Sequence, residues 1–428
     1  MNNLVIICAI LLLVLLFLKV PVYIAVLSAS AVYFIGTPGM NLSIFAQKTI
    51  SGAEGLSLLA IPFFVCAGIF MNYTGVTKRI MNCCEVLTAR MPGGLAQVNI
   101  LLSTLMGGLS GSSLADAAMQ CKMLVPTMES KGYSKSFSTV ITAASGMVVP
   151  LIPPGVGLII YGCINNISIG KLFIAGIGPG IVLCVTLMIF THFLSKKRGY
   201  LPSRTTKIPV SEKIAAVRPA FLPLLLPIII IGGVRIGVFT ASEAGTVAIV
   251  YAVLLGLLYK ELTLKNVMQG CKETVTTTAS IMLIVAAATC FSWILTKEQI
   301  PQQFSQWMIS NIHNKYVFLI MVNIFLLIVG MFIEGNASMI VLAPLLHPVA
   351  MAYGIDDIHF AMVYIFNCTI GAFTPPMGTL MFVSCGITKG NTKDFIKEEV
   401  LFYILFAIDI IVLTYIPQLT TFLVNVFY

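Results

Sequence analysis

Apolar side chains along this chain come in long unbroken runs, not in alternation. Leu4–Leu18 and Phe221–Gly233 are two of them. Continuous runs of this length predict helices that are hydrophobic all round, as a bilayer demands. Barrel strands alternate apolar and polar residues and are excluded. The apolar stretches fall at 4–18, 21–36, 57–73, 98–128, 136–163, 171–194, 219–236, 238–259, 274–296, 316–351, 358–388 and 399–426. Those at 98–128 and 316–351 are interrupted by polar residues. A chain of 428 residues has room for roughly ten to twelve crossings at about 20 residues each plus loops.

Composition sharpens this. Apolar residues make up 58%, charged residues only 10%, and the mean hydropathy is +0.99. Soluble globular proteins carry about 25% charged residues. A soluble enzyme, a nucleic-acid binder and a disordered chain are excluded, which leaves an all-α polytopic membrane protein. The net charge of +9 does not restore a nucleic-acid reading, because the bases sit in short segments between apolar runs. Segment 195–218 holds Lys196, Lys197, Arg198, Arg204, Lys207, Lys213 and Arg218 against one acid, Glu212. It reads as a cytoplasmic loop between two halves. Counting crossings outward from it puts 20 of the 25 Lys and Arg inside, Lys19 among them. Lys48, Lys171, Arg235, Lys297 and Lys315 are the exceptions. That bias requires 98–128 and 316–351 each to return to the side they left, so both are predicted to be re-entrant hairpins. Met1-Asn2-Asn3 carries no positive charge and Lys19-Val20-Pro21 offers no small-residue cleavage site, so no signal peptide is expected. The eleven cysteines are scattered, with no CxxC spacing, and the four histidines form no ligand cluster.

The chain also repeats itself. At an offset of 222, Gly108 falls on Gly330, Pro126 on Pro348, Gly132 on Gly354, and Pro153-Pro154 on Pro375-Pro376, without a gap over 47 residues. Gly and Pro set backbone breaks, so matched breaks predict matched architecture. Five crossings are expected between the two hairpins, which makes the repeat inverted. Inverted repeats with broken helices mark secondary transporters, whose binding site lies where the breaks meet.

The breaks carry chemistry. Gly107-Gly108-Leu109-Ser110-Gly111-Ser112-Ser113 is a poor helix sequence amid apolar residues. Its hydroxyls and freed carbonyls suit a hard cation such as sodium, and the next half-helix presents its N-terminus to a carboxylate. Close packing through small residues is the competing reading of the Gly pair. The second tip reads Glu334-Gly335-Asn336-Ala337-Ser338, with Glu334 on Ser112 and Gly335 on Ser113. Each tip is expected to pair with a Pro-Pro break: Ser145-Gly146 and Ile152-Pro153-Pro154-Gly155 in one half, Thr369-Ile370-Gly371 and Thr374-Pro375-Pro376-Met377-Gly378 in the other. Three acids in apolar surroundings need an account. Glu334 is expected to accept backbone hydrogen bonds at its tip. Asp116 and Glu243 are either pathway groups or capping and network groups. Arg235 is expected to be an interfacial anchor, with contact to an anion or a partner as the alternative. An intramembrane enzyme finds no support, because no Ser/His pair, paired carboxylates or HExxH is present.

In these residues the chain resembles the large membrane subunit of TRAP (tripartite ATP-independent periplasmic) transporters. The matching pieces are Leu59-Ala60-Ile61-Pro62-Phe63-Phe64-Val65 with Ala67-Gly68; Gly108–Ser113 with Ala115-Asp116-Ala117-Ala118; Ile152-Pro153-Pro154; Glu334-Gly335-Asn336-Ala337; and Thr374–Gly378. It departs at Gly155, at Met119-Gln120-Cys121 and at Val148-Val149. The resemblance implies an inverted-repeat, elevator-type carrier in the bacterial cytoplasmic (inner) membrane. Its transport domain of two hairpins and two Pro-Pro-broken helices would slide against a scaffold. The expected division is 1–92 scaffold, 93–194 first transport half, 195–218 basic loop, 219–272 second scaffold helices, and 273–428 second transport half with a C-terminal helix. A small four-helix membrane subunit and a periplasmic binding protein are the implied partners, with a C4-dicarboxylate or a sialic or sugar acid as substrate and sodium as coupling ion. No other cofactor is implied. By similarity, one sodium site would lie at Ser110, Gly111, Ser112 and Ser113 with Ser145-Gly146. The other would lie at Gly335, Asn336 and Ala337 with Thr374, Pro375 and Pro376. Substrate would meet Ser112, Ser113, Asp116, Pro154, Asn336 and Pro376. Stand-alone sodium symport of related architecture, or a channel, are the alternatives.

Overall fold

The computed structural model describes residues 3–18, 20–204, 206 and 208–428. Lys19 and Lys207, counted above among the inside bases, and Met1-Asn2, used in the leader argument, lie outside the described residues. Every regular element described is helical. The N-terminal part contains α1 (Asn3–Phe17), α2 (Val22–Gly36), α3 (Leu42–Ser51), a 3₁₀ turn at Leu56–Leu59, α4 (Ala60–Asn72) and α5 (Val76–Thr88). Next come α6 (Gly94–Ser110), α7 (Ser113–Met123), α8 (Val125–Ser130), α9 (Lys135–Gly146), α10 (Val156–Asn165) and α11 (Ile169–Lys197). After the basic segment follow α12 (Val210–Arg235), α13 (Ala241–Leu258), α14 (Leu264–Lys297) and α15 (Ile300–Asn311). The last group is α16 (Lys315–Phe332), α17 (Gly335–Ala352), α18 (Asp357–Phe373), α19 (Thr379–Thr388), α20 (Thr392–Tyr415) and α21 (Gln418–Phe427).

Among the described residues six helices are long and apolar enough to cross a bilayer, or up to eight if each bent pair is one span. The lower count than ten to twelve has a physical cause. Breaks at the tips and at the Pro-Pro pairs leave apolar pieces such as α6, α10, α18 and α19, each of 10–17 residues and too short to cross alone. The basic segment is also shorter than expected, because α11 runs to Lys197 and α12 begins at Val210. Tyr200 and Arg204 pin it in place: Gly93 donates to the Tyr200 carbonyl at 3.1 Å and Arg204 donates from its backbone to Ala89 at 2.9 Å. Elements absent from the apolar reading are amphipathic. In α5, Val76, Ile80, Cys83, Cys84 and Thr88 are buried at helical spacing while Lys78 and Arg79 belong to the other faces. The C-terminal stretch bends by 48° between α20 and α21, where Pro417 interrupts it.

The repeat is carried in the backbone itself. Ser112 caps α7 and Glu334 caps α17; Ser134 caps α9 and Asp356 caps α18; both pairs are 222 apart. Gly132 and Gly354 turn with positive φ, and beside them Tyr133 donates to Met128 and Ile355 to Ala350, both at 3.1 Å. The Pro153-Pro154 and Pro375-Pro376 peptides are both cis. Met377 is one residue inserted before Gly378, and from there the offset is 223: Asn166 and Lys389 share a positive φ, and α11 and α20 start in register. The two copies interlock. α10 of the first packs on α17 of the second, and α19 of the second packs on α7 of the first. A second, smaller core joins α1 and α2 to α14 through Val5, Ala29, Phe34 and Phe291.

Two glycines let α16 and α18 approach closely. A Cβ on Gly371 would stand 2.6 Å from the Gly330 Cα. Gly371→Leu is expected to force the pair apart and destabilise the chain by about 1–3 kcal/mol or more, read as a lowered melting temperature in detergent. Gly386→Leu, where nothing lies within 4 Å, is the control and is expected to leave melting unchanged.

Candidate functional site

The first tip is a reversal between α6 and α7. Gly111 takes φ +61° and donates its N–H to the Gly107 carbonyl at 3.2 Å. A side chain there would meet both that left-handed backbone and the Pro154 carbonyl, 2.9 Å from an added Cβ. Val156 donates to the Gly111 carbonyl at 3.3 Å. The tip is thus seated on the break between α9 and α10. Ser112 accepts the Ala115 N–H at 3.4 Å and starts α7. At the second tip Ile333 donates to Val329 at 2.9 Å, and the Glu334 carboxylate accepts the Ala337 N–H at 3.1 Å. Glu334 therefore does what its position suggested: it satisfies a donor that a helix start would otherwise leave bare.

Both tips face one cavity of about 200 Å³. Four helices begin on its wall: α7 at Ser112–Ala115, α17 at Glu334–Asn336, α10 at Val156-Gly157 and α19 at Thr379. Each N-terminus contributes about half a positive charge and first-turn N–H groups that its own helix does not pair, those of Ala115, Val156 and Ala337 being already engaged. No Lys, Arg or His lies on the described wall; Glu334 is its one charged side chain, already engaged as a cap. Val65, Gly68, Ile69 and Asn72 of α4 and Thr277 and Ile281 of α14 close the opposite side. Gly68 permits this, since a Cβ there would come 2.8 Å from the Ser110 carbonyl.

Of the residues expected from sequence, Ser110, Gly111, Ser112, Ser113, Gly335 and Asn336 come together on this wall. Gly146 packs beneath it, 3.2 Å from the Ser113 carbonyl when a Cβ is added. Pro154 lies under Gly111 and not on the wall. Ser145 and Asp116 belong to a neighbouring buried network. Ser103 donates to Asp116 at 2.7 Å and bonds Ser145 at 3.1 Å, and Gln120 donates to both Ser103 and Asp116 at 2.7 and 2.8 Å. Asp116 is a network group away from the cavity. Ala337 borders an apolar crevice instead, and Thr374 a second one beside Met331 and Tyr403. Pro375 and Pro376 line neither tip nor cavity. Glu243 is exposed, not buried, and forms a capping box with Thr240. Arg235 bonds the Phe427 carbonyl at 3.0 Å and covers its ring at 4.7 Å, anchoring α21.

Thr369, expected beside the second tip, is on the wall, whereas the wall residues Asn72, Thr277 and Thr379 were not singled out from sequence. A signal existed for Thr277, which sits in a run of hydroxyls, Thr276-Thr277-Thr278, within a strongly apolar segment.

Comparison with known proteins agrees along nearly the full length. Residues 9–419 match the family described as tripartite ATP-independent periplasmic transporter, DctM component. The sialic acid TRAP transporter large permease SiaM of Vibrio cholerae is 41% identical over 370 residues, 86% of each chain. The C4-dicarboxylate TRAP transporter large permease DctM of Pseudomonas aeruginosa is 35% identical over 381 residues, 89% of each. The crystal structure of the YdaH transporter of Alcanivorax borkumensis shares the fold, with a TM-score of 0.60 at 13% identity, covering 92% of this chain and 96% of that one. The chain therefore belongs to the DctM family: it is the large permease of a TRAP transporter, an inner-membrane protein that carries solute without being an enzyme.

Proposed function

We propose that this permease moves a small organic anion inward by sodium-coupled secondary transport, with the cavity between the tips as the carrying site. One observation supports this above the rest: four helix N-termini converge on a space with no basic side chain. Such a wall attracts a carboxylate through backbone N–H groups and helix dipoles. A volume of about 200 Å³ is below the range of about 300–1,000 Å³ typical of larger ligands, which fits a small acid. Relatives are named for sialic acid and for C4-dicarboxylates, and either class satisfies the wall.

The cation reading rests on the other ends of the same breaks. Where α6 stops at Ser110, its last carbonyls have no helical partner, and Ser112 and Ser113 add hydroxyls beside them. Sodium at Ser110–Ser113 with Ser145-Gly146, and at Gly335–Ala337 with Thr374–Pro376, would offset charge brought in by the substrate. In this reading the helix–turn–helix pairs α6–α7 and α16–α17 re-enter the bilayer from opposite faces. The halves 93–194 and 273–428 shift as an elevator against the scaffold segments 1–92 and 219–272. A small four-helix subunit braces that scaffold, and a periplasmic binding protein delivers the substrate; the tripartite name of the family accords with three components.

Proteoliposomes holding all three components are expected to take up labelled sialic acid or succinate only with an inward sodium gradient. Equal uptake with and without the gradient sinks the coupling. Ser112→Ala removes a helix cap worth about 1 kcal/mol and a wall hydroxyl together. Glu334→Gln removes the carboxylate at the other tip. Both variants are expected to assemble in the membrane, by size-exclusion profile, while uptake falls several-fold. Unchanged uptake in both would remove the site assignment.

A further inference from the structure

Glu399 is the buried acid that the carrier cycle above leaves unused. It lies on the inward face of α20 and is 0% exposed, between Phe395 and Phe402, themselves 1% and 0% exposed. Its carboxyl has no backbone or basic partner; the one donor beside it is the Tyr403 phenol. Arg198, at the end of α11, is held by the neighbouring Glu398 at 2.6 Å and not by Glu399. The titratable groups that face Glu399 are Tyr403, one turn on along α20, and Cys385 of α19. Arg198 is what α11 brings to this end of α20, and no charged group of α9 or α18 acts on Glu399 among the described residues. The buried Tyr403 hydroxyl faces this carboxyl, and Tyr403 borders the crevice that reaches Thr374 at the second break.

The repeat shows that the architecture does not need an acid here. At the offset of 223 that relates α20 to α11, Glu399 corresponds to Gly176 and Tyr403 to Gly180. Gly176 sits against the Leu151 carbonyl, 2.2 Å from an added Cβ, beside the first Pro-Pro break. Phe373 is the counterpart of Leu151, and its ring packs on Phe395 at 5.7 Å and on Phe406 at 5.4 Å. The second repeat has thus placed a carboxyl and a phenol against the end of α18, just before Pro375-Pro376, where the first repeat uses two glycines. An ionised carboxylate enclosed by aromatic rings, with one phenol as donor and no counter-ion, costs several kcal/mol. An alkali ion would need a shell of oxygens that this aromatic setting does not offer, whereas a proton needs one.

We propose that Glu399 is a proton-binding site of the second repeat, carrying a proton while packed against the end of α18 and releasing it when that packing opens to water. The step is simple: the carboxylate gains H⁺ to become the neutral acid, and loses it again, with no other bond changed. This goes beyond the sodium-coupled reading and does not require it, because the protonation state is readable without transport.

The test is infrared difference spectroscopy of the full chain in lipid nanodiscs at neutral pH. The expected result is a carbonyl band of a protonated carboxylic acid in the native chain that is missing in Glu399→Gln and shifted in Glu399→Asp. If Glu399→Gln fails to assemble, loss of a ¹³C-glutamate acid band between the labelled native chain and labelled Glu399→Asp gives the same reading. A spectrum unchanged by both substitutions, or a native chain with no glutamate acid band, overturns the proposal. A band that vanishes when sodium replaces potassium assigns the site to an alkali ion and overturns it as well. In proteoliposomes that transport, native uptake is expected to fall about tenfold per pH unit once the carboxyl ionises, and Glu399→Gln to lack that decline. The same alkaline decline in both overturns the functional part.

Discussion

A helix that stops inside a membrane protein leaves N–H and C=O groups that lipid cannot satisfy. That constraint organises this permease. Each interruption is enclosed by another part of the chain: the first tip lies on the Pro153-Pro154 break, with Val156 donating to the Gly111 carbonyl, and Glu334 covers a bare donor at the second. The interlocking of α10 with α17 and of α19 with α7 follows. Each short half-helix packs against the tip helix of the opposite repeat, so neither copy has to enclose its own break alone.

The same constraint yields the chemistry. Four helix starts that must not face lipid are turned toward a common space, and their N–H groups and dipoles add there. The wall needs no lysine or arginine to be electropositive. A fixed basic side chain would hold an anion through the whole cycle, whereas donors spread over four helices can be moved relative to each other. On the proposed reading, a backbone device would serve as the carrier site without a basic side chain.

Departures from symmetry carry as much meaning as the symmetry. Ser112 and Glu334 occupy the same position and perform the same capping role with different side chains. Gly176 and Glu399 also correspond, yet one serves close backbone packing and the other places an acid without a counter-ion in an aromatic setting. The two halves are alike in backbone and unequal in charge, which lets one break respond to what the other ignores.

Hydropathy, the basic segment and the Gly/Pro offset determined the class, the two-fold repeat, both tips and both broken helices, because apolar runs and backbone breaks are local properties of the chain. Capping by Glu334 was legible for the same reason; the contact of Arg235 with the Phe427 carbonyl was not, since it joins distant segments. Amphipathic α5 and the polar-faced α15 were not, since half of each surface is polar and a search for apolar runs passes over them. Only the tertiary structure separated Asp116 from the cavity and joined it to Ser103, Gln120 and Ser145. Only it brought Asn72 and Thr277 to the wall, from α4 and α14. Which side of a buried helix a residue faces depends on the partner it packs against, and in a helix apolar on every side the sequence carries no stripe to say which.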